Sequence, residues 1–189
     1  RQVTVEGVRF PLPRPFMIIA TQNPIEFEGT YYLPEAELDR FLVRVVAWYP
    51  DREVELEMLS KKLIHGETIN VKVVCEPNDI LRAIEFTSKV YVDKSIMEYI
   101  VNLAEVTRRH ERVSLGVSPR GEVALLYASR AMAAIDGKSY VTPDHVKSIA
   151  KLVFNHRIIL RGGSMNPLES RREVMKILDE ILEEVPAPR

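Results

Sequence analysis

The sequence predicts the end of an α/β core over residues 1–50, followed by a mostly helical domain over residues 51–189. The run FMIIA at residues 16–20 is too short for a helix and apolar enough for a strand that is covered on both faces. The run FLVRVVAW at residues 41–48 has the same character and predicts a second buried strand. Beyond Pro50, apolar residues recur at helical spacing instead, so the boundary is placed there.

The chain opens with a predicted β-hairpin. Residues 2–12 alternate apolar and polar side chains around a Glu-Gly turn at residues 6–7, which is the pattern of two short strands joined tightly. The strand predicted at residues 16–21 ends in polar side chains, and Pro24 prevents its extension. Asn23 therefore lies at the mouth of a buried strand, which is where open α/β sheets bind their ligands.

Helices are predicted from apolar periodicity and from the residues that begin and end them. A short one is expected in the segment LPEAELDRF, residues 33–41, and the longer ones cover residues 51–63, 78–89, 94–110, 119–135, 143–153 and 168–184. Ser118-Pro119 and Thr142-Pro143 are typical helix starts, because proline suits the first helical position. A short apolar run at residues 157–160 predicts an extended segment before the last helix.

Composition excludes several classes of function. The net charge of −1 gives no overall attraction to nucleic acid or to a membrane surface. The single cysteine, Cys75, excludes an internal disulfide and is compatible with a reducing cytosol, so we expect a cytoplasmic protein. The four histidines show no spacing typical of metal ligands, and no apolar run approaches the ~20 residues that span a membrane.

The sequence contains no phosphate-binding loop of the form G-x-x-x-x-G-K-[ST]. The nearest match is Gly137-Lys138-Ser139, but Met132 stands where the motif needs its first glycine, and the tripeptide follows a helical run. Gly137 is therefore interpreted as the glycine that ends that helix. The sequence also has no apolar strand that ends in paired acids, the element that holds Mg²⁺ in proteins with such a phosphate-binding loop.

The block ATQNPIEFEGTYYLPEAELDRF at residues 20–41 resembles the AAA+ ATPases and, most closely, their MoxR branch. The segments GVSPR at residues 116–120 and YVTPDHVK at residues 140–147 continue the resemblance. It implies an α/β P-loop NTPase (AAA+) core fragment, starting at the hairpin before the first sensor and followed by a helical lid domain. Members of that family carry a phosphate loop and an acidic strand upstream, and this chain begins at Arg1 rather than methionine. We therefore expect the C-terminal portion of a longer ATPase.

The resemblance implies roles for three residues. Asn23 matches the first sensor, which orients the attacking water or contacts the γ-phosphate. Arg40 matches the arginine finger, which reaches the nucleotide of a neighbouring subunit and stabilises transition-state charge. Arg120 matches the second sensor, which contacts the nucleotide phosphates from the lid, and its place at a helix start suits anion binding.

Each of these residues also has a structural alternative. Asn23 could simply cap a turn, Arg40 could form a weak surface pair with a neighbouring acid, and Arg120 could be an ordinary charge at a helix start. The pair His156-Arg157 matches the family as well, with buried structural roles as an equal alternative.

The resemblance further implies ATP and Mg²⁺ as cofactors of the full-length ATPase and a homo-oligomeric ring, which we expect to be a hexamer. It implies chaperone-like remodelling or maturation of partner proteins, often ones with von Willebrand factor A domains. The chain alone is expected to be inactive. The alternatives are a magnesium-chelatase-like AAA+ subunit and a non-catalytic interaction fragment. Nucleic-acid binding ranks last, because the hairpin tip carries no basic pair.

Overall fold

The computed structural model describes residues 2–22, 33–47, 49–66, 71–162 and 167–188. The strands are β1 (Gln2–Val5), β2 (Val8–Pro11), β3 (Val113–Leu115) and β4 (Ile159–Leu160). The helices are α1 (Glu35–Leu38), α2 (Arg52–His65), α3 (Pro77–Lys89), α4 (Lys94–Arg109), α5 (Pro119–Ile135), α6 (Pro143–Phe154) and α7 (Pro167–Glu184). Each of the longer predicted helices is confirmed, with ends that differ from the prediction by at most two residues.

The predicted N-terminal hairpin is confirmed. β1 and β2 pair antiparallel, with Val5 opposite Val8 across a two-residue loop. The loop residues Glu6 and Gly7 have φ values of 49° and 82°. Two consecutive positive φ angles are those of the turn that best matches the twist of paired strands. The side chains of both strands are exposed, so the hairpin is held by its own backbone pairing rather than by a core.

The described residues of the segments 16–21 and 41–48 do not form the two buried strands that the sequence predicts. The described residues of both segments are outside any β-ladder, and Ile19 is 79% exposed. The reason is that a strand needs a neighbouring strand for its N–H and C=O groups, and neither run has one within the described ranges. Residues 41–47 lie instead against the end of α6, where the Arg44 N–H donates to Leu152 O. Apolar composition predicted strands that would be covered on both faces, whereas the described residues include no strand that pairs with either run.

The hydrophobic core lies among α4, α5, α6 and α7. In α4 the buried side chains follow helical spacing and form one stripe, namely Ile96, Tyr99, Ile100, Leu103, Ala104 and Thr107. The facing helices contribute small residues of α5, such as Ala128, and larger ones of α6 and α7, such as Phe154 and Ile177. The core runs along the chain from Val90 to Val185.

Helices α2 and α3 lie outside that core. No residue of α3 is buried, and every described side chain of α2 is exposed. In the domain predicted over residues 51–189, the hydrophobic core is therefore formed mainly by the C-terminal two thirds.

Gly137 lies just after the end of α5, as expected for the glycine that ends this helix. This glycine has a φ of 68°, a left-handed conformation that an L side chain would strain. Its N–H donates to Ala134 O at 3.1 Å, and the N–H of Lys138 donates to Ala133 O at 2.8 Å. These two bonds form the glycine-based motif that satisfies the last carbonyls of a helix. The tripeptide at residues 137–139 is thus a helix end rather than part of a phosphate loop.

A small antiparallel pair, β3 with β4, positions the start of α5. Between β3 and α5 the backbone passes very close to α4 at Gly116, where a Cβ atom would come within 2.7 Å of Arg108 Cα. The next residue, Val117, donates its N–H to the Thr107 hydroxyl at 2.9 Å. Because the loop is attached to α4 in this way, the first turn of α5 has a defined position over the core.

Candidate functional site

Asp39 is the residue through which the segment 33–47 meets the helical domain. It directly follows α1, and its backbone N–H donates to Glu35 O at 3.0 Å. The carboxylate accepts a hydrogen bond from the Ser118 hydroxyl at 3.0 Å. It also accepts one from Arg120 Nη1 at 3.3 Å and one from Arg157 Nε at 2.9 Å.

Arg157 is the buried partner in this cluster, with a side chain that is only 1% exposed. Besides the Asp39 carboxylate, its guanidinium donates to the backbone carbonyls of Asp39 at 3.0 Å, of Leu42 at 3.3 Å and of Phe41. Burial lowers the pKa of Arg157, and the Asp39 carboxylate opposes that shift. The guanidinium remains charged at neutral pH, because its ordinary pKa is far above 7.

Gly121 makes room for this arrangement. In the first turn of α5, a Cβ at position 121 would come within 2.4 Å of Val117 Cγ1 and within 2.9 Å of Arg157 Cδ. The Arg157 side chain therefore lies against α5 where that helix has no side chain.

The neighbouring His156 is held as a neutral ring. Its Nε2 lies 3.1 Å from Phe41 O and 2.8 Å from Arg157 Nη1. Burial lowers the pKa of His156 to about 4, and the positive charge of Arg157 contributes to the lowering. Its buried Nδ1 has no hydrogen-bond partner within the part of the chain that the structure describes.

A second contact joins the same two parts of the chain a few residues further on. Arg44 donates its backbone N–H to Leu152 O at 2.9 Å and its Nη2 to Asn155 O at 2.8 Å. Asn155 returns a bond from Nδ2 to Arg44 O at 3.1 Å. Burial lowers the pKa of Arg44 to about 10, with Arg171 adding to the effect, so this residue is also positive at neutral pH.

The three predicted site residues have different outcomes. Asn23 lies outside the described residues. Arg40 is exposed, and within the described ranges its guanidinium has no hydrogen bond or ion pair, so the surface pair with Glu37 or Asp39 is not formed. Arg120 is 57% exposed in the first turn of α5 and pairs with Asp39. The structure thus brings Arg120 to the residue next to Arg40.

Sequence reasoning missed the part that Asp39 takes and left the role of Arg157 open. The sequence indicated Asp39 only as part of the LDRF motif and as a possible surface partner of Arg40, whereas its partners Ser118 and Arg157 are 79 and 118 positions away. No spacing rule connects residues at such separations. The available signal was the match of His156-Arg157 to the family, which marked the pair without indicating its partner.

The structure also bears on metal binding and membrane insertion. Among the described residues, no group of three or more His, Cys, Asp or Glu side chains is arranged to hold a metal ion. The described carboxylates therefore do not form a Mg²⁺ site. In the same ranges, no helix combines the length and the apolar character needed to cross a bilayer.

Comparison with protein families gives two matches in this chain. Residues 1–43 match the model described as the ATPase family associated with various cellular activities (AAA). Residues 105–181 match the model of the AAA lid domain. The first match contains Asp39 and Arg40, and the second contains Arg120 and Arg157.

Individual relatives agree with the family models. The chain is 42% identical to the uncharacterized protein YeaC of Bacillus subtilis over 84% of its own length and 49% of the relative. It is 32% identical to the chaperone MoxR1 of Mycobacterium tuberculosis over its full length and 51% of the relative. Magnesium-chelatase subunits match at 27–28% identity. The chain thus spans about half the length of the curated relatives that it matches.

A solved structure shows the same fold. The crystal structure of a candidate ATPase from Cytophaga hutchinsonii superposes with a TM-score of 0.85 at 33% identity. The similarity covers the whole of this chain and 59% of that protein.

Proposed function

This chain belongs to the AAA+ ATPases and has MoxR proteins among its relatives, and from that premise we propose that it is the sensor and lid portion of a MoxR-type ATPase. Residues 1–50 would be the last part of the α/β core, and residues 51–189 would be the lid. The complete ATPase would bind ATP with Mg²⁺, through a phosphate loop and acidic residues that this sequence does not contain.

The observation that supports the proposal best is the pairing of Arg120 with Asp39, the residue before Arg40. Two arginines of the matched motifs thus lie at one junction, both with exposed side chains. Exposed guanidinium groups suit phosphate oxygens, because they are permanently charged and can bind two oxygens at once. A junction that offers two such groups is suited to a nucleotide between two subunits.

In this proposal the three residues act at different moments. Asn23 orients the attacking water, and Arg40 meets the charge that develops on the γ-phosphate in the neighbouring subunit. Arg120 contacts the phosphates in the ground state as well as in the transition state. The hydrolysis cycle would then drive the remodelling or maturation of partner proteins, with von Willebrand factor A domain proteins as the proposed partners. We further propose a hexameric ring in the cytoplasm.

The decisive experiment is a mixing test in the full-length protein. Arg40→Ala should leave nucleotide affinity nearly unchanged and lower hydrolysis by about 10³-fold or more, because a finger acts on transition-state charge. Asn23→Ala should likewise spare binding and slow hydrolysis. Arg109→Ala is a matched control, since Arg109 is exposed and pairs with Glu105 within its own helix.

Mixing identifies the subunit on which Arg40 acts. Subunits with Arg40→Ala, combined with subunits whose phosphate loop is inactivated, should regain hydrolysis at interfaces that take one intact element from each. If mixed rings form and stay inactive, the role of Arg40 between subunits is wrong.

The chain by itself should not hydrolyse ATP, because its sequence has no phosphate loop. Phosphate release from purified chain with Mg²⁺ and ATP should stay at background. Turnover that persists through further purification would contradict the assignment of this chain as a sensor and lid portion.

Magnesium-chelatase-like activity is the second candidate, since chelatase subunits match along most of the chain. Their identity to this chain is lower than that of MoxR1 over a comparable length, which favours the MoxR assignment. A full-length protein that supported Mg²⁺ insertion into a porphyrin would reverse the order of the two.

A further inference from the structure

We propose that Asp39 is a positioning residue that couples phosphate contact at Arg120 to the placement of Arg40. The inference rests on the proposed function, since it takes Arg120 as the phosphate-sensing residue and Arg40 as the finger. It adds a role for Asp39, which neither arginine motif explains by itself.

The two oxygens of the Asp39 carboxylate have partners of different kinds. Oδ1 accepts from Arg157 Nε, whose side chain is 1% exposed. Oδ2 accepts from the Ser118 hydroxyl and from Arg120, whose side chain is 57% exposed. Asp39 itself is 19% exposed, so one of its oxygens faces the interior of the junction and the other faces the edge.

This difference makes Arg157 the permanent partner and Arg120 the exchangeable one. Separating a buried charge pair leaves a charge without compensation, which is costly. An exposed pair contributes little, because water screens it and its side chains lose freedom. A nucleotide phosphate carries more charge than a carboxylate and binds a guanidinium through two oxygens, so it can take Arg120 away from Asp39.

The same residue controls the backbone around Arg40. Arg157 donates to the carbonyls of Asp39 and Phe41, so a single buried guanidinium binds the carbonyl groups of the residues before and after Arg40. That guanidinium is in turn oriented by the Asp39 carboxylate. When Arg120 binds a phosphate, the Asp39 carboxylate loses one of its two positively charged partners. Its remaining hydrogen bonds to Ser118 and Arg157 then readjust, and the turn that carries Arg40 shifts with them.

Coupling of this kind works in both directions. Phosphate contact at Arg120 biases the position of Arg40, and engagement of Arg40 by a neighbouring nucleotide biases Arg120 to the same extent. A purely structural role for Asp39 would give no such reciprocity.

The test uses the full-length protein and measures the affinity for the β,γ-imido analogue of ATP in four forms: wild type, Asp39→Asn, Arg120→Ala and the double variant. Asp39→Asn removes the competing charge with little change of shape. It should tighten binding by about two- to five-fold, as expected for loss of an exposed ion pair. It should also lower the turnover number, because the turn at Arg40 is no longer controlled. In the Arg120→Ala background, Asp39→Asn should leave the affinity unchanged.

A second variant covers the case in which Asp39→Asn does not fold. Ser118 begins α5 without a side-chain cap bond to that helix, so Ser118→Ala removes only its bond to Asp39 Oδ2. Arg120 then remains as the described partner of that oxygen and is held more firmly. Binding of the analogue should weaken by about two-fold, the opposite sign to Asp39→Asn, and only when Arg120 is present.

The outcomes separate the inference from the proposed function. If Arg120→Ala alone leaves the affinity unchanged, the sensing role of Arg120 and the coupling are both wrong. If Arg120→Ala weakens binding while Asp39→Asn or Ser118→Ala acts equally with and without Arg120, the coupling is wrong and the sensing role remains. A fall in both affinity and turnover in Asp39→Asn, independent of Arg120, would mark Asp39 as a structural residue.

Discussion

Arg157 Nε lies 2.9 Å from Asp39 Oδ1, and this pair joins residues 118 positions apart in the chain. The acid belongs to the turn after α1, and the base follows α6, so the pair holds the N-terminal segment on the helical domain. The contribution of this pair to stability depends on its environment, because the arginine is buried and Asp39 is the acid that neutralises its charge.

We expect Arg157→Met to lower the free energy of unfolding by about 3 kcal/mol, at the low end of the cost of breaking a buried pair, because Asp39 keeps Ser118 and Arg120 as partners. The free energies would be measured by urea denaturation of the chain. Arg109→Ala is the control, because the Arg109–Glu105 pair is exposed on one helix and should contribute no more than about 0.5 kcal/mol. Equal losses in the two variants would show that burial of Arg157 does not carry the stability.

Stability should depend on pH through His156. Its pKa is lowered from 6.5 to about 4 in the folded chain, mainly by burial and then by Arg157. Below pH 6.5 the unfolded chain therefore binds a proton that the folded chain does not bind until about pH 4. The stabilisation from the neutral ring is complete above pH 6.5 and is lost as the pH falls toward 4. After screening is allowed for, the loss should be roughly 2 kcal/mol.

The measurement compares unfolding free energies of wild type and His156→Gln between pH 7 and pH 4. Carboxylates titrate in the same range in both proteins, so the difference between the two curves isolates the histidine. The wild type should lose more stability than the variant. Parallel curves would mean that His156 takes a proton as readily in the folded chain as in the unfolded one.

Gly121→Ala should destabilise the chain although alanine is the better helix former. The added methyl group would overlap Val117 and Arg157, and such overpacking costs about 1–3 kcal/mol. Arg120→Ala, one residue earlier, is the matched control, since it removes only an exposed ion pair and should cost less than about 1 kcal/mol. A more stable Gly121→Ala variant would show that Arg157 does not need this space.

Hydrogen exchange should separate the N-terminal segments from each other. The amide of Arg44 donates to Leu152 O and should exchange slowly. The amides of residues 16–22 have no ladder partner among the described residues and should exchange quickly in dilute chain. Strong protection at residues 16–22 would reveal a partner for this segment, such as a second copy of the chain, and dilution would identify that case.

The sequence predicted well those features that depend on neighbouring residues. Helix starts at Pro119 and Pro143 and the helix end at Gly137 were correct, because capping chemistry acts over a few residues. The hairpin turn at residues 6–7 was correct for the same reason.

Features that depend on distant partners were missed or were wrong. The strands predicted at residues 16–21 and 41–48 need neighbouring strands, and apolar composition does not supply them. The three residues of β3 are too few for a periodic pattern, whereas β4 lies within the extended segment that was predicted at residues 157–160. The amphipathic pattern of α3 indicated an apolar face but could not show that no side chain of this helix is fully buried.

The candidate site shows the same limit. The motif around Arg40 and the helix start at Arg120 were visible in the sequence, whereas the carboxylate between them was not. Asp39 contacts Ser118, Arg120 and Arg157 because the fold places the segment 33–47 against the helical domain. The contact between the two matched motifs is therefore a property of the fold rather than of either motif.

The hydrogen bonds that Arg157 donates to the backbone around Arg40 do not involve the Arg40 side chain. Arg157 donates to the carbonyl groups of the residues before and after Arg40, and a substitution at residue 40 leaves both of those groups in place. Position 40 should therefore accept side chains of other chemistry without loss of these backbone contacts. A citrulline there would keep the shape of arginine without its charge, and a small fluorophore on a cysteine would test the proposed contact of residue 40 with a neighbouring subunit.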